Sequence, residues 1–239
     1  MNRQSNVYTL IYSVVLVAVV GVVLSVVYQA LRPAQLENIA NDTKRQILAS
    51  ARLTPSGNKD ISSLFSEHIV ESYIVNSEGE KIDAGINPFD VNVSLEVKKP
   101  ADERLLPVFE CTTDNGLKYI VPVYGAGLWG PIWGYIAFDN NCNTIYGAYF
   151  AHQGETPGLG AEIEKPAFSG QFDGKDIFSG DVFTSIAVVK LGKEPAGKAY
   201  VHAVSGGTIT SQGVQKMLFD SLEPYTAFFL SKKSESQKL

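Results

Sequence analysis

Residues that most often carry acid–base, nucleophilic or metal chemistry are scarce in this chain. Its 239 residues include three histidines, His68, His152 and His202, and two cysteines, Cys111 and Cys142. The histidines are too scattered for metal-ligand spacing or a catalytic triad, and no G-x-S-x-G elbow occurs. The two cysteines fit one disulfide or two plain thiols, and spacing does not decide between them. Clustered basic charge is missing as well. The Lys/Arg doublets are Lys44-Arg45, Lys98-Lys99 and Lys232-Lys233, and the formal net charge is -5. This argues against a nucleic-acid surface. Acidic pairs such as Asp102-Glu103 lie in polar stretches beside Pro and read as solvated turns rather than acid–base pairs.

Charge of either sign is absent between Arg3 and Arg32, where Val7 to Tyr28 is nearly all Val, Leu, Ile, Ala and Tyr. At about 1.5 Å per residue, roughly twenty helical residues cross a hydrocarbon core about 30 Å thick. A secretory apolar region is shorter, about 7 to 15 residues, and Gln29-Ala30-Leu31-Arg32 is a poor cleavage site. The expectation is a short amino-terminal segment, residues 1–6, and a single transmembrane helix, residues 7–29, with Tyr8, Tyr12 and Tyr28 at its interfaces. Arg3 and the α-amine on one side nearly balance Arg32, Lys44 and Arg45 on the other, so charge does not orient the span.

Residues 30–58 read as a juxtamembrane helix and linker. Leu36, Ile39, Ala40, Ile47 and Leu48 recur at helical spacing within Pro33–Leu53, and Thr54-Pro55-Ser56-Gly57-Asn58 breaks the pattern. Residues 59–239 then form a globular domain. Strand-like runs fall at Ile69–Val75, Val91–Val97, Tyr119–Tyr124, Ile132–Phe138 and Thr144–Phe150, which predicts an α+β fold of twisted antiparallel sheets with flanking helices. The tail from Ser231 to Leu239, rich in Ser and Lys, reads as frayed.

The most informative segment is Ser205-Gly206-Gly207-Thr208-Ile209-Thr210-Ser211. Val214, Met217, Leu218, Leu222, Tyr225 and Phe229 follow at helical spacing through Leu230, so a helix is expected to start near Thr210 or Ser211. Its unpaired first-turn amides and dipole favour an anion, and Gly206 and Gly207 allow a phosphoryl group close to the backbone. A Ser or Thr that simply caps the helix is the plainer alternative. Upstream, Glu155-Thr156-Pro157-Gly158-Leu159-Gly160 makes a turn in which Gly158 and Gly160 can take positive φ. It could present amides to a flat ring or merely join two strands. In Gly125-Ala-Gly127-Leu128-Trp129-Gly130-Pro131 the literal G-x-G-x-x-G match fails as a dinucleotide fingerprint, because Pro131 and Gly134 follow where a helix should open. Trp129 is either an aromatic wall for a ligand or a core residue. Ser179–Ser185 echoes Ser205–Ser211, but Val182 stands where Thr208 does.

These three segments, in this order behind an amino-terminal span, resemble the FMN-binding subunits NqrC and RnfG, and nearly the whole length matches. The Ser-Gly-Gly-Thr-Ile-Thr run is similar to their flavin-attachment signature, so the resemblance implies FMN held by a phosphoester to Thr208. It further implies flavin contacts from Ser205, Gly206, Gly207, Thr210, Ser211, Glu155, Thr156, Gly158, Leu159, Gly160, Leu128, Trp129 and Lys190. The last ends the apolar run Ile186–Lys190 and is otherwise an ordinary solvated lysine. Where the family carries an acidic residue six positions before the threonine, read by the flavin transferase that installs the cofactor, this chain has His202. The continuous match through Gly-Leu-Trp and the juxtamembrane helix favours the sodium-pumping NADH:quinone oxidoreductase family over the ferredoxin:NAD complex of RnfG, or over a stand-alone tethered flavin module. The same resemblance implies an electron relay without a catalytic side chain of its own, other subunits of a membrane redox complex as partners, and a single-pass protein of the bacterial inner membrane whose large domain lies outside the cytoplasm.

Overall fold

The computed structural model describes residues 6–54 and 60–237. Chain contacts divide it into two compact units, residues 1–43 and 44–239. The first is helical. Helix α1 (Asn6–Ser50) includes Pro33 in its interior, so the two helices expected on either side of that proline are one. Proline removes a single helical donor there, and the bonds on either side carry the helix on. Residues 7–28 of α1 are mostly exposed apolar side chains, and the helix is long and apolar enough to cross a membrane. Residues 1–5 and 55–59 of the predicted amino-terminal segment and linker lie outside the described residues.

In the second unit, Ile120 and Val121 are adjacent and both fully buried. Neighbouring strand residues point to opposite faces, so both faces of their sheet must be covered. The sheet has six antiparallel strands in the order β2-β1-β3-β4-β5-β6: β1 (Ile69–Val75), β2 (Lys81–Ile82), β3 (Leu106–Thr113), β4 (Gly116–Ala126), β5 (Pro131–Phe138) and β6 (Ile145–His152). Phe109, Ile120 and Ala137 stand opposite one another across β3, β4 and β5. On that face they pack with Ile47, Ala51 and Cys111, while α2 (Ile61–His68) buries Ile61 and Leu64 beside Leu48. The other face, with Tyr119, Val121, Ile136 and Phe138, belongs to a cluster to which the short α4 (Pro166–Ser169) adds Phe168, and it is covered by α5 (Thr208–Leu222) and α6 (Thr226–Ser236) through Val214, Met217, Leu218, Phe228 and Phe229. Burying one such Phe fully contributes about 1.5–3 kcal/mol.

This layering confirms the α+β expectation and revises several details. The run Val91–Val97 is not a strand: it follows a 3₁₀ turn (Pro88–Asp90) and forms α3 (Val93–Glu96). Asn87 accepts the Phe89 amide with its side chain, and the Asn92 carbonyl accepts the amides of Leu95 and Glu96. These local bonds outcompete the alternating Val pattern. Strand β3 was not foreseen. The helical run expected through Leu230 breaks at a 3₁₀ turn, Glu223–Tyr225, where Pro224 cannot continue the α-helix. The predicted frayed tail is helical to Ser236, anchored by Phe228 and Phe229 and by Lys233, which donates to the Gly180 carbonyl and pairs with Asp181. Residues 238–239 lie outside the described residues. The echo at Ser179–Ser185 is a hairpin of β7 (Phe178–Ser179) and β8 (Val182–Phe183).

Both cysteines are free thiols. Cys111 lies in the cluster under α1 and Cys142 in the cluster under α5 and α6, on opposite faces of the sheet. Burial pushes the Cys111 thiol up to about 12 and Cys142 well above its usual range.

Candidate functional site

Helix α5 crosses β4 at very close range because small residues meet there. A Cβ added to Gly213 would lie closer than 3.0 Å to the Ala126 carbonyl oxygen, and one on Gly125 closer than 3.0 Å to Met217 Cβ. The first turn of α5 is thereby brought beside the β4–β5 hairpin tip, where the Gly127 amide donates to the Gly130 carbonyl (2.8 Å). The hairpin explains why the G-x-G-x-x-G run has no helix behind it.

The helix starts at Thr208 with Gly207 as its N-cap, two residues earlier than expected, and no side chain caps it. The amides of Thr208, Ile209 and Thr210 make no backbone hydrogen bond, and the Thr208 hydroxyl makes none among the described residues. The hydroxyls near this turn serve different ends. Ser211 Oγ reaches back to accept the Val204 amide (3.0 Å), which closes the turn, while Gly206 takes φ 72°, a conformation open to glycine. Thr210 is buried and donates to Glu155 Oε2. The capping alternative therefore does not describe Thr208.

Between these segments lies a cleft of about 360 Å³ lined by Leu128, Trp129, Glu155, Thr156, Leu159, Gly160 and Gly206–Thr210. Eight of the residues singled out from the sequence meet here with Thr208 and Thr210, and Ile209 joins them. Trp129 is 68% exposed, which removes the core reading and leaves an aromatic wall. Leu128, Leu159 and Ile209 are likewise exposed apolar side chains on the cleft. Ile209 was missed because it occupies the motif's variable position, and only its place one residue beyond Thr208 could have pointed to it. Gly158 takes φ 76° as expected, but Gly160 does not have positive φ. Its hydrogen is required for space, since a Cβ there would lie closer than 3.0 Å to both Glu155 Oε2 and Thr210 Oγ1. Four predicted contacts are not on the cleft lining: Ser205, exposed in the turn; Ser211, buried behind it; Gly158; and Lys190, exposed just after β9 (Ala187–Val189). His202 ends β10 (Tyr200–His202), with its backbone held by both amide atoms of the Gln171 side chain.

The charge in the cleft comes from Glu155, which is only 4% exposed. One oxygen accepts the Trp129 amide (2.8 Å) and the other the Thr210 hydroxyl. Burial alone would raise its pKa. Hydrogen bonds from Thr210 and from the amides of Trp129 and Leu128, with His152 nearby, outweigh burial and hold the carboxyl below the usual range. A cleft with apolar walls, one free hydroxyl and three unpaired amides at a helix start can take a flat ring carrying a phosphate, with the ring against Trp129 and the anion at the helix end.

Comparison with known proteins gives the same direction. Residues 127–223 match the FMN-binding domain family. A crystal structure of the C subunit of Na(+)-translocating NADH-quinone reductase from Parabacteroides distasonis is 49% identical, with a TM-score of 0.77 over 83% of this chain and 96% of that one. Shewanella oneidensis NqrC is 27% identical with a TM-score of 0.66, covering 82% and 98%. The corresponding Na(+)-translocating NADH-quinone reductase chain of Pseudomonas aeruginosa is 30% identical over 91% of both chains. The chain belongs to the family formed by the C subunits of Na(+)-translocating NADH-quinone reductases.

Proposed function

We propose that this chain carries FMN, joined through a phosphoester to Thr208 Oγ, and relays electrons inside a multi-subunit NADH:quinone oxidoreductase that exports Na+. The observation that carries this reading is the unpartnered Thr208 hydroxyl at the first residue of α5, on the cleft and beside three free amides. On attachment by a flavin transferase, Thr208 Oγ would displace a leaving group from the phosphorus of an activated flavin phosphate donor: the Oγ–P bond forms as the bond from phosphorus to that leaving group breaks, and the hydroxyl proton passes to solvent. The amides of Thr208, Ile209 and Thr210 and the positive helix end then offset the phosphoryl charge. Gly206 and Gly207 keep side chains away from that group, while Leu128, Trp129, Leu159 and Ile209 exclude water from the ring. FMN supplies the redox chemistry, and the protein supplies position and electrostatics. A tethered cofactor cannot diffuse away, which suits a domain on the outer side of the inner membrane with α1 as its anchor.

The direct test is ultraviolet fluorescence of the band on a denaturing gel. Wild-type chain from its host fluoresces and Thr208→Ala is dark while its circular dichroism is unchanged; a mutant band as bright as wild type refutes attachment at Thr208. Co-purification with a hydrophobic multi-span partner in mild detergent, and protease access to residues 44–239 in spheroplasts, test the complex and the orientation. A monomer that co-purifies with nothing, or a domain protected from outside, contradicts them.

A further inference from the structure

Glu155 stands out because its two oxygens are already spent. They hold the Trp129 amide on the β4–β5 hairpin tip and the Thr210 hydroxyl in the first turn of α5, while Glu155 itself sits in the loop after β6. One carboxylate thus joins all three walls of the cleft. Its place is shaped by two glycines: a Cβ on Gly127 would lie closer than 3.0 Å to Oε1, and one on Gly160 closer than 3.0 Å to Oε2. Among the described residues no Lys or Arg forms an ion pair with it. The titratable neighbour is His152, whose Nδ1 accepts the Glu155 amide (3.2 Å) and whose Nε2 is 3.7 Å from Glu164 Oε1.

As a charged carboxylate it has no proton to donate to a ligand, and both of its oxygens already accept from the protein. We propose that Glu155 is a positioning residue whose buried negative charge locks the three walls together and lowers the reduction potential of the flavin held between them, rather than a direct ligand of that flavin. The proposal rests on the flavin reading above. The physical reason is that a redox group gains negative charge when it accepts electrons, and a nearby buried anion makes this less favourable in a medium that screens poorly. A neutral amide of the same shape can accept from the Trp129 amide with its oxygen and donate its NH2 to Thr210 Oγ1, whose hydroxyl then reverses its role, so Glu155→Gln removes the charge and keeps both side-chain links.

The experiment uses the full-length, flavin-loaded chain purified from its host, titrated spectroelectrochemically, with Glu155→Gln, Glu155→Asp and Thr208→Ala. Glu155→Gln should still fluoresce on a denaturing gel and show an upward shift in midpoint potential, while Glu155→Asp, which keeps the charge, stays near wild type. A Glu155→Gln protein with the wild-type potential overturns the proposal, since a merely structural carboxylate predicts that result. If Glu155→Gln takes up no flavin and Glu155→Asp does, the charge is needed to build the cleft and the proposal stands; if neither is loaded, side-chain length and not charge governs the site, and it falls. Wild-type protein without flavin would instead sink the functional reading itself, and dark Thr208→Ala beside bright wild type shows that reading intact.

Discussion

Replacing Gly160 by Ala inserts one methyl group at the tightest point of the cleft. The backbone accepts alanine there, because Gly160 does not have positive φ, so the effect comes from space alone. The new Cβ would meet Glu155 Oε2 and Thr210 Oγ1 at less than 3.0 Å, and both atoms belong to the same buried hydrogen bond. One of them must move. Loss of a hydrogen bond to a charged group costs about 1.5–3 kcal/mol, and crowding a packed site costs about 1–3 kcal/mol. Taking about 3 kcal/mol for the pair, and roughly 2–4 °C per kcal/mol for a domain of this size, Tm should fall by roughly 6–12 °C. Thermal melts of the full-length chain in detergent, followed by circular dichroism, measure this. A mutant that melts within about 2 °C of wild type, on the same scale, and binds as much flavin would show that the Glu155–Thr210 bond does not organise the cleft.

Further expectations come from burial and charge. Phe229→Ala removes a fully buried ring that packs on Phe138 and Tyr225. It should destabilise by about 3–5 kcal/mol, read as a lower denaturant midpoint. Because the folded Glu155 carboxyl titrates below its ordinary range, its stabilising share is full above the unfolded carboxylate range and is lost as pH falls through the folded value. The Tm advantage of wild type over Glu155→Gln should therefore shrink between about pH 7 and about pH 3, and an advantage that is constant or grows in acid contradicts the assignment. Cys111 and Cys142, raised by burial, should resist iodoacetamide in the folded protein at mildly alkaline pH and react after denaturation. Rapid labelling of either in the native state would refute their burial.

Much of the sheet was legible because its strands carry strong local signals. Ile69–Val75 matches β1 residue for residue, and β4, β5 and β6 overlap the expected runs closely. The missed β3 carries Pro107 and Glu110 in its interior, which weakens the pattern, although Asp114-Asn115-Gly116 after it was a readable hairpin signal. In Val91–Val97 the alternating valines read as a strand, but the Asn92 carbonyl accepts the Leu95 and Glu96 amides and starts a helical turn instead. The helix start at Thr208 was read late since Gly-Gly-Thr looks like a turn, and packing of α5 on β4 at Gly213 and Gly125 is a tertiary constraint with no local trace. The cleft residues themselves were named from motif likeness, with Ile209 as the omission. Motif spacing gave no sign that Glu155 is occupied on both oxygens, or that Gly127 and Gly160 make room for it. These are facts about segments brought together from three places in the chain.

The central claim is a flavin phosphate on Thr208. Digestion of the chain from its native host, followed by peptide mass spectrometry, should find the peptide containing Thr208 heavier by FMN less one water, with fragmentation placing the addition on that residue. An unmodified Thr208 peptide, or the same added mass on Thr210 or Ser211, would contradict the account.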